Sequence, residues 1–189
     1  MGILDLFRKD EVVGAKVLVC ALETRFDDLL KVDSEAYRRY YLATDTAIFP
    51  SISGLMDAVG QRYDIVHLLC DVSPSCTIMD ANDKEITGME LIQRCCDENV
   101  KLLWIASDNP PERYIKGFGA RGKRLNLVMT LKRNGSNFQE FLRKLLFRMF
   151  YGDSMPVAWV DLCPQVPGST HPSAPECLFF AGRGSVKLR

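Results

Sequence analysis

Three acidic residues, Glu23, Asp71 and Asp108, each follow a run of residues that has the character of a buried strand. The three runs comprise residues 16–22, 65–70 and 101–107. In open α/β sheets, the groups that carry out chemistry lie just beyond the carboxyl ends of the parallel strands. If the three strands are neighbours, the three carboxylates share one edge of the sheet, and this edge is the first candidate site.

Carboxylates held this close together repel one another unless a cation binds between them or one of them takes up a proton. Three converging oxygens suit Mg²⁺ or Mn²⁺, and either ion would permit phosphoryl transfer or hydrolysis. One hypothesis is therefore a metal-dependent hydrolase or phosphotransferase that uses Glu23, Asp71 and Asp108. The alternative is that each acidic residue begins a solvated loop or caps a helix. Asp108, which precedes Asn-Pro-Pro, fits such a turn.

The pattern of apolar residues predicts the elements that must position this edge. Unbroken apolar runs such as Ile65–Cys70 are typical of strands buried on both faces of a parallel sheet. One helix is predicted after Ser51 as its N-cap, and another after Thr87, which forms a capping box with Glu90. The clearest helix covers residues 137–150. Strands that alternate with helices predict an α/β fold, a three-layer α-β-α sandwich around a mainly parallel sheet.

The remaining segments are less regular. Further strands are predicted at residues 77–79, 125–131 and 176–188, the last as a strand or hairpin. Residues 24–47 show only short helical pieces, and Pro110-Pro111 should block direct entry into a long helix. Residues 164–175 are rich in Pro, Gly and Ser, which predicts a long loop.

Several short phrases, in their order along the chain, resemble the CHAT domain, a caspase-like peptidase domain. The phrases lie at residues 63–70, 83–91, 101–109, 119–120, 127–131, 149–158 and 178–184. The resemblance covers roughly residues 45–185. It implies a caspase-like fold in which a histidine, the general base, follows the first matched strand and a cysteine, the nucleophile, follows the second.

This chain departs from the family pattern at both catalytic positions. Asp71, followed by Val72 and not by glycine, stands where the family has its histidine, and Asp108 stands where the family has its cysteine. A carboxylate is a poor replacement for a thiolate that attacks an amide. The resemblance therefore implies one caspase-like domain over residues 1–189, with residues 1–15 as an N-terminal extension. Such a domain would be an interaction or regulatory module for an unidentified protein partner.

A third interpretation is an active cysteine peptidase whose catalytic pair lies elsewhere, with His67, Cys70 or Cys76 as candidates. Residues three apart along a strand point to opposite faces of the sheet. His67 and Cys70 therefore cannot easily form a catalytic pair with each other, and His67 is expected to pack in the core.

A basic, glycine-rich segment is the last candidate, with Lys116, Arg121, Lys123 and Arg124 as binding residues. Its glycines would let backbone amides approach an anion. No strand runs into this segment with the spacing of a dinucleotide fingerprint, so a mobile surface loop is the competing interpretation.

Composition sets the outer limits on function. The 189 residues include 24 Lys+Arg and 24 Asp+Glu, a balance that gives no general reason to bind nucleic acid or an anionic membrane. Seven cysteines without a Cys-x-x-Cys pair, and two widely separated histidines, disfavour a zinc site. The interaction-module hypothesis needs no cofactor. A reducing, cytoplasmic location is expected, with no membrane-spanning segment.

Overall fold

The computed structural model describes residues 11–13, 16–40, 42–118, 124–133, 136–162 and 176–188. Its strands are β1 (Glu11–Val13), β2 (Lys16–Ala21), β3 (Ala43–Ile48), β4 (Ile65–Leu69), β5 (Thr77–Met79), β6 (Glu85–Thr87), β7 (Leu102–Ile105), β8 (Asn126–Lys132), β9 (Glu176–Ala181) and β10 (Val186–Leu188). Its helices are α1 (Asp27–Arg38), α2 (Ile52–Val59), α3 (Gly88–Asp97), α4 (Pro111–Gly117), α5 (Ser136–Phe150) and α6 (Met155–Leu162), with a short 3-10 helix at Thr24–Phe26.

The central sheet has six strands in the order β3-β2-β4-β7-β8-β9. The first five strands run parallel, and β9 is antiparallel to β8. The predicted α/β fold with a mostly parallel sheet is confirmed. The three apolar runs of the sequence are the adjacent strands β2, β4 and β7, so Glu23, Asp71 and Asp108 do follow neighbouring strands.

Alternate residues of the central strands belong to two separate hydrophobic clusters. In β2, for example, Val17 and Val19 belong to the first cluster, and Leu18 and Cys20 to the second. The first cluster also contains residues of α1, α5 and α6, and the second contains residues of α2, α3 and α4. Side chains of the central strands therefore pack into apolar clusters on both faces of the sheet, which is why their sequences show no polar alternation.

Two predicted helix starts have the expected hydrogen bonds. The Ser51 hydroxyl accepts a hydrogen bond from the Gly54 amide at 3.2 Å, at the start of α2. At the start of α3, the Thr87 hydroxyl accepts from the Glu90 amide, and the Glu90 carboxylate accepts from the Thr87 amide. This reciprocal pair confirms the predicted capping box. Helix α5 also matches its predicted range of 137–150 to within one residue.

The segment from residue 24 to residue 47 is more regular than its sequence indicates. It forms the continuous helix α1 and the edge strand β3. Helix α1 buries Asp33 and Ser34 beside apolar residues, so the apolar period along it is interrupted. Strand β3, with the sequence Ala-Thr-Asp-Thr-Ala-Ile, is half-exposed and lacks an apolar run.

Three other segments add to the predictions. Pro111 begins no long helix but is the first residue of the seven-residue helix α4, where a proline loses no intrahelical hydrogen bond. Helix α6 was not predicted, because nearly all of its residues are apolar and no stripe is visible. Strands β9 and β10 do not form a hairpin, since β9 pairs with β8 while β10 pairs in parallel with β1. The predicted loop at 164–175 lies outside the described residues.

Within the described ranges, every helix is too short or too polar to cross a membrane.

Candidate functional site

The order of the strands reverses between β2 and β4. After β2 the chain passes through α1 to β3 on one side, and it then returns through α2 to β4 on the other side. In open α/β sheets, ligands bind in the crevice at the carboxyl ends of the strands that flank such a reversal. The antiparallel hairpin of β5 and β6 follows β4 directly along the chain.

A groove lies at this crevice. It consists of two adjoining hollows of about 710 and 600 Å³ that share Glu23, Arg25 and Met79. We call it the edge groove; it is lined by Leu22–Arg25, Ile48, Pro50, Asp71–Pro74, Met79–Ala81, Asp83 and Arg113. The groove therefore contains two of the three carboxylates that the sequence singled out.

The guanidinium of Arg25 lies between those two carboxylates. Its Nε is 2.8 Å from Glu23 Oε2, and its Nη2 donates hydrogen bonds both to Glu23 and to Asp71. The hydrogen bonds with Glu23 and then with Asp71 raise the pKa of Arg25. All three side chains are between 39% and 52% exposed. The cation between these carboxylates is thus a side chain of the protein.

Asp108 belongs to a different local arrangement. Its Oδ1 accepts a hydrogen bond from the Arg133 amide at 2.7 Å, just beyond the end of β8. The structure does not gather Glu23, Asp71 and Asp108 around one point, although their strands are adjacent. Among the residues described, no group of three or more His, Cys, Asp or Glu side chains could hold a metal ion. The metal-dependent interpretation therefore stays a prediction without support from this geometry.

Side-chain hydrogen bonds fix the loops that follow β4 and β7. The Ser107 hydroxyl accepts from the Cys70 amide at 2.6 Å, and Asn109 Oδ1 accepts from the Val72 amide at 2.7 Å. The Asn109 amide nitrogen in turn donates to the Cys70 carbonyl and to the Tyr114 hydroxyl. The loops that carry Asp71 and Asp108 are thus linked to each other by buried hydrogen bonds.

The hairpin that walls the groove is tied to α2 by Asp80. Asp80 is only 5% exposed. Its carboxylate accepts hydrogen bonds from the amides of Ile52, Asn82 and Lys84 at 2.8–3.1 Å. The amide of Ile52, and then those of Asn82 and Lys84, lower the pKa of Asp80 against the opposing effect of its desolvation. Asp80 is therefore an anchor of the wall and not a free ligand group.

His67 is fully buried in the core. Its Nε2 lies 3.0 Å from Asp33 Oδ2 and its Nδ1 lies 2.9 Å from the Tyr37 hydroxyl. Its ring packs against Trp104, in the first hydrophobic cluster. Cys70 belongs to the second cluster, on the other face of the sheet. The prediction that His67 packs in the core and cannot pair with Cys70 is confirmed.

The same buried site contains a complete ion pair. Arg133 binds Asp33 through two hydrogen bonds of 2.8 and 2.9 Å, and its Nη1 also donates to the Ala106 carbonyl. We call Asp33, Tyr37, His67 and Arg133 the buried network. Burial by itself would raise the pKa of Asp33, but His67 and then Arg133 outweigh it and hold that pKa below its usual value. Burial raises the pKa of Tyr37.

The buried thiols are unsuited to nucleophilic attack. Burial raises the pKa of Cys20, Cys70 and Cys95, and only the thiolate is a strong nucleophile. Cys76 has a left-handed backbone (φ 67°), and its Sγ lies 3.9–4.0 Å from two backbone carbonyls. The only histidine in the described part of the chain is His67, and both of its ring nitrogens are engaged.

The predicted basic binding residues are described only in part. Lys116 is exposed on α4, and Arg124 is exposed shortly before β8. Arg121 and Lys123 lie outside the described residues. The anion-binding interpretation of this segment stays a prediction.

Sequence reasoning missed Arg25, Met79 and Arg113, which complete the groove. The signal for Arg25 was its place in Glu23-Thr-Arg25, directly behind a buried strand. No protein-family model matches the chain, and no curated protein matches it. The assignment of a function must therefore rest on the geometry of the site.

Proposed function

We propose that this chain is a caspase-like, CHAT-like domain without peptidase chemistry, which binds a segment of a protein partner in its edge groove in the cytoplasm. A three-layer α-β-α sandwich is part of this proposal. It is supported by the two helix-containing hydrophobic clusters on the central strands. The assignment of the two catalytic positions is supported by their place, because Asp71 and Asp108 follow the adjacent strands β4 and β7.

One observation carries the proposal: both catalytic positions hold carboxylates that are already engaged with the domain's own groups. Asp71 binds the Arg25 side chain, and Asp108 accepts from the Arg133 amide. Neither side chain can replace a thiolate. Within the described ranges, no thiol lies beside a histidine that has a free ring nitrogen. The edge thus keeps the place of an active site without its nucleophile and base.

The groove keeps the features of a binding surface. Met79 is 40% exposed in its wall, beside Ile48 and Pro50. Exposed ion pairs contribute only about 0–1 kcal/mol, so an incoming cationic side chain can displace Arg25 from Glu23 and Asp71 at small cost. Carboxylates outnumber arginines along the lining. We therefore expect the partner segment to present apolar and basic side chains.

The test has a chemical arm and a binding arm. In the chemical arm, a thiol-directed peptidase inhibitor such as a peptidyl acyloxymethyl ketone is incubated with the folded protein at neutral pH. No stoichiometric labelling is expected. Labelling that disappears in Cys76→Ala or Cys70→Ala would identify an active peptidase and overturn the proposal.

In the binding arm, the photo-crosslinker benzoylphenylalanine replaces Met79 in the groove or, as a control, the half-exposed Phe147 on α5. Irradiation in the source cells should yield a protein adduct at position 79 and not at position 147. Asp71→Lys, which sets a like charge against the partner's basic side chain, should abolish the adduct, whereas Glu140→Lys, the same charge change on α5, should not. The groove is not the partner site if both positions give the same adducts or if Asp71→Lys has no effect.

A further inference from the structure

Strand β3 has an open edge. It is the last strand of the central sheet, and all six of its residues are in register with β2. The Phe49 amide, just beyond β3, donates to the Ala21 carbonyl of β2 at 2.8 Å. Backbone N–H and C=O groups of successive strand residues point to opposite sides. The groups of Asp45 and Ala47 therefore face β2, and those of Thr44, Thr46 and Ile48 face outward.

No described residue forms a strand against this outer side. Proteins usually protect such edges with lysine, proline or a bulge. Strand β3 has none of these devices, whereas the pairing of β8 with the opposite edge strand, β9, contains a register shift between Thr130 and Lys132. Threonine and isoleucine also favour an extended backbone. The edge is thus preformed for the addition of another strand.

The side chains along the edge indicate what kind of strand fits. Arg38 of α1 reaches Thr46, with its Nη2 3.3 Å from the Thr46 hydroxyl. Antiparallel pairing of β3 with a second copy, using all three outward residues, would be centred on Thr46. It would place the two Arg38 guanidinium groups side by side, and like charges in such positions are destabilising. A segment with an acidic side chain opposite Thr46 would instead meet Arg38 favourably.

We propose that the outer edge of β3 binds an extended segment of another protein by strand addition, with an acidic residue opposite Thr46 and beside Arg38. In this mode the main-chain hydrogen bonds supply affinity and the flanking side chains supply selectivity. The surface shares Ile48 with the lining of the edge groove but includes none of the ion pairs of Arg25, so either site can exist without the other.

The test uses a phage-displayed library of random linear dodecapeptides, selected on the wild-type protein and measured by fluorescence anisotropy. Selected peptides should carry an acidic residue within a β-branched run. Thr46→Pro removes one outward N–H and should weaken binding at least about threefold, the equivalent of one hydrogen bond. Thr46→Val retains that N–H and should bind like the wild type. Arg38→Ala should weaken binding, and Arg25→Glu should not.

Amide hydrogen exchange checks the same surface without a substitution. In the free protein, the amides of Thr44, Thr46 and Ile48 should exchange rapidly and those of Asp45 and Ala47 slowly. A selected peptide should slow exchange at the three outward positions. The proposal is overturned if these amides are already protected in the free protein, if the library yields no binder, or if the binders are indifferent to Thr46→Pro. None of these outcomes depends on the crosslinking at Met79, so the two proposals can fail separately.

Discussion

The edge groove and the buried network use similar charged groups in opposite surroundings. In the groove, Arg25 bridges Glu23 and Asp71 with all three side chains about half in solvent. In the network, Arg133 holds Asp33 with two hydrogen bonds, and the Asp33 side chain is fully buried. Solvent weakens the ion pairs of Arg25, so other charged groups can replace them. The ion pair of Arg133 is buried, so breaking it would destabilise the fold.

The two regions also differ in whether a ligand could reach their polar groups. His67 is the only histidine in the described part of the chain, yet its ring nitrogens are engaged by Asp33 and Tyr37 in the core. Asp71, by contrast, is half-exposed in the groove. Exposed ion pairs that solvent keeps exchangeable are suited to binding, which is the function proposed for the groove.

The largest effect is expected from the network. Asp33→Ala should lower the free energy of unfolding by about 3–5 kcal/mol, because it leaves Arg133 as an unpaired buried charge. The control is Asp28→Ala in the same helix, where the side chain is fully exposed. Urea unfolding of both variants measures the difference, with an unchanged m-value as the check for two-state behaviour. A loss of less than 1 kcal/mol for Asp33→Ala would show that the network is not a rigid unit.

Two substitutions of His67 divide its packing from its hydrogen bonds. His67→Ala removes the ring that packs on Trp104 and Phe138, and it should cost about 3–5 kcal/mol, as for a buried aromatic ring. His67→Phe keeps a ring there but leaves the Tyr37 hydroxyl without its partner, and it should cost about 1–3 kcal/mol. The midpoints of urea unfolding of the two variants measure the contribution of packing against that of the hydrogen bonds. If the phenylalanine variant is no more stable than the alanine variant, the hydrogen bonds outweigh the packing.

The acid response of stability should also trace to Asp33. Its pKa is lowered in the folded state, so its contribution is complete above the unfolded value of about 3.9. That contribution is lost as the pH falls through the lower, folded value. Asp33→Asn should therefore flatten the decline of unfolding free energy below pH 4, by at most about 1.4 kcal/mol per pH unit for one proton. Asp28→Asn, at an exposed position of the same helix, is the control. If Asp33→Asn declines as steeply as the wild type, the acid response belongs to other carboxylates.

Sequence reasoning located the groove and the core strands because their signals are local. The runs that became β2, β4 and β7 are continuous in sequence, and an acidic residue beyond each strand is visible at once. The capping box of Thr87 and Glu90 is equally local. Such features follow from neighbouring residues and their order along the chain.

The partners of the charged residues could not be predicted in this way. Asp33, His67 and Arg133 come from α1, β4 and the end of β8, and only the packing of α1 on the sheet brings them together. Asp33 also interrupts the apolar pattern of α1, which is why the sequence did not predict α1 as one continuous helix. The role of Arg25 was missed for the same reason, since nothing near Asp71 in the sequence indicates that Arg25 will bind it.

The smallest effect on stability is expected in the groove. Its size shows whether a partner could displace Arg25 from Asp71. Asp71→Asn should change the free energy of unfolding by less than about 1 kcal/mol, as for other exposed ion pairs. The difference should shrink further in 1 M NaCl, where the Debye length falls to about 3 Å. Parallel urea titrations at low and high salt measure both quantities. A salt-independent loss above 2 kcal/mol would mean that Asp71 and Arg25 brace the edge as firmly as Asp33 and Arg133 brace the core. A partner could then not displace Arg25, and the groove would be closed to the basic side chain proposed for it.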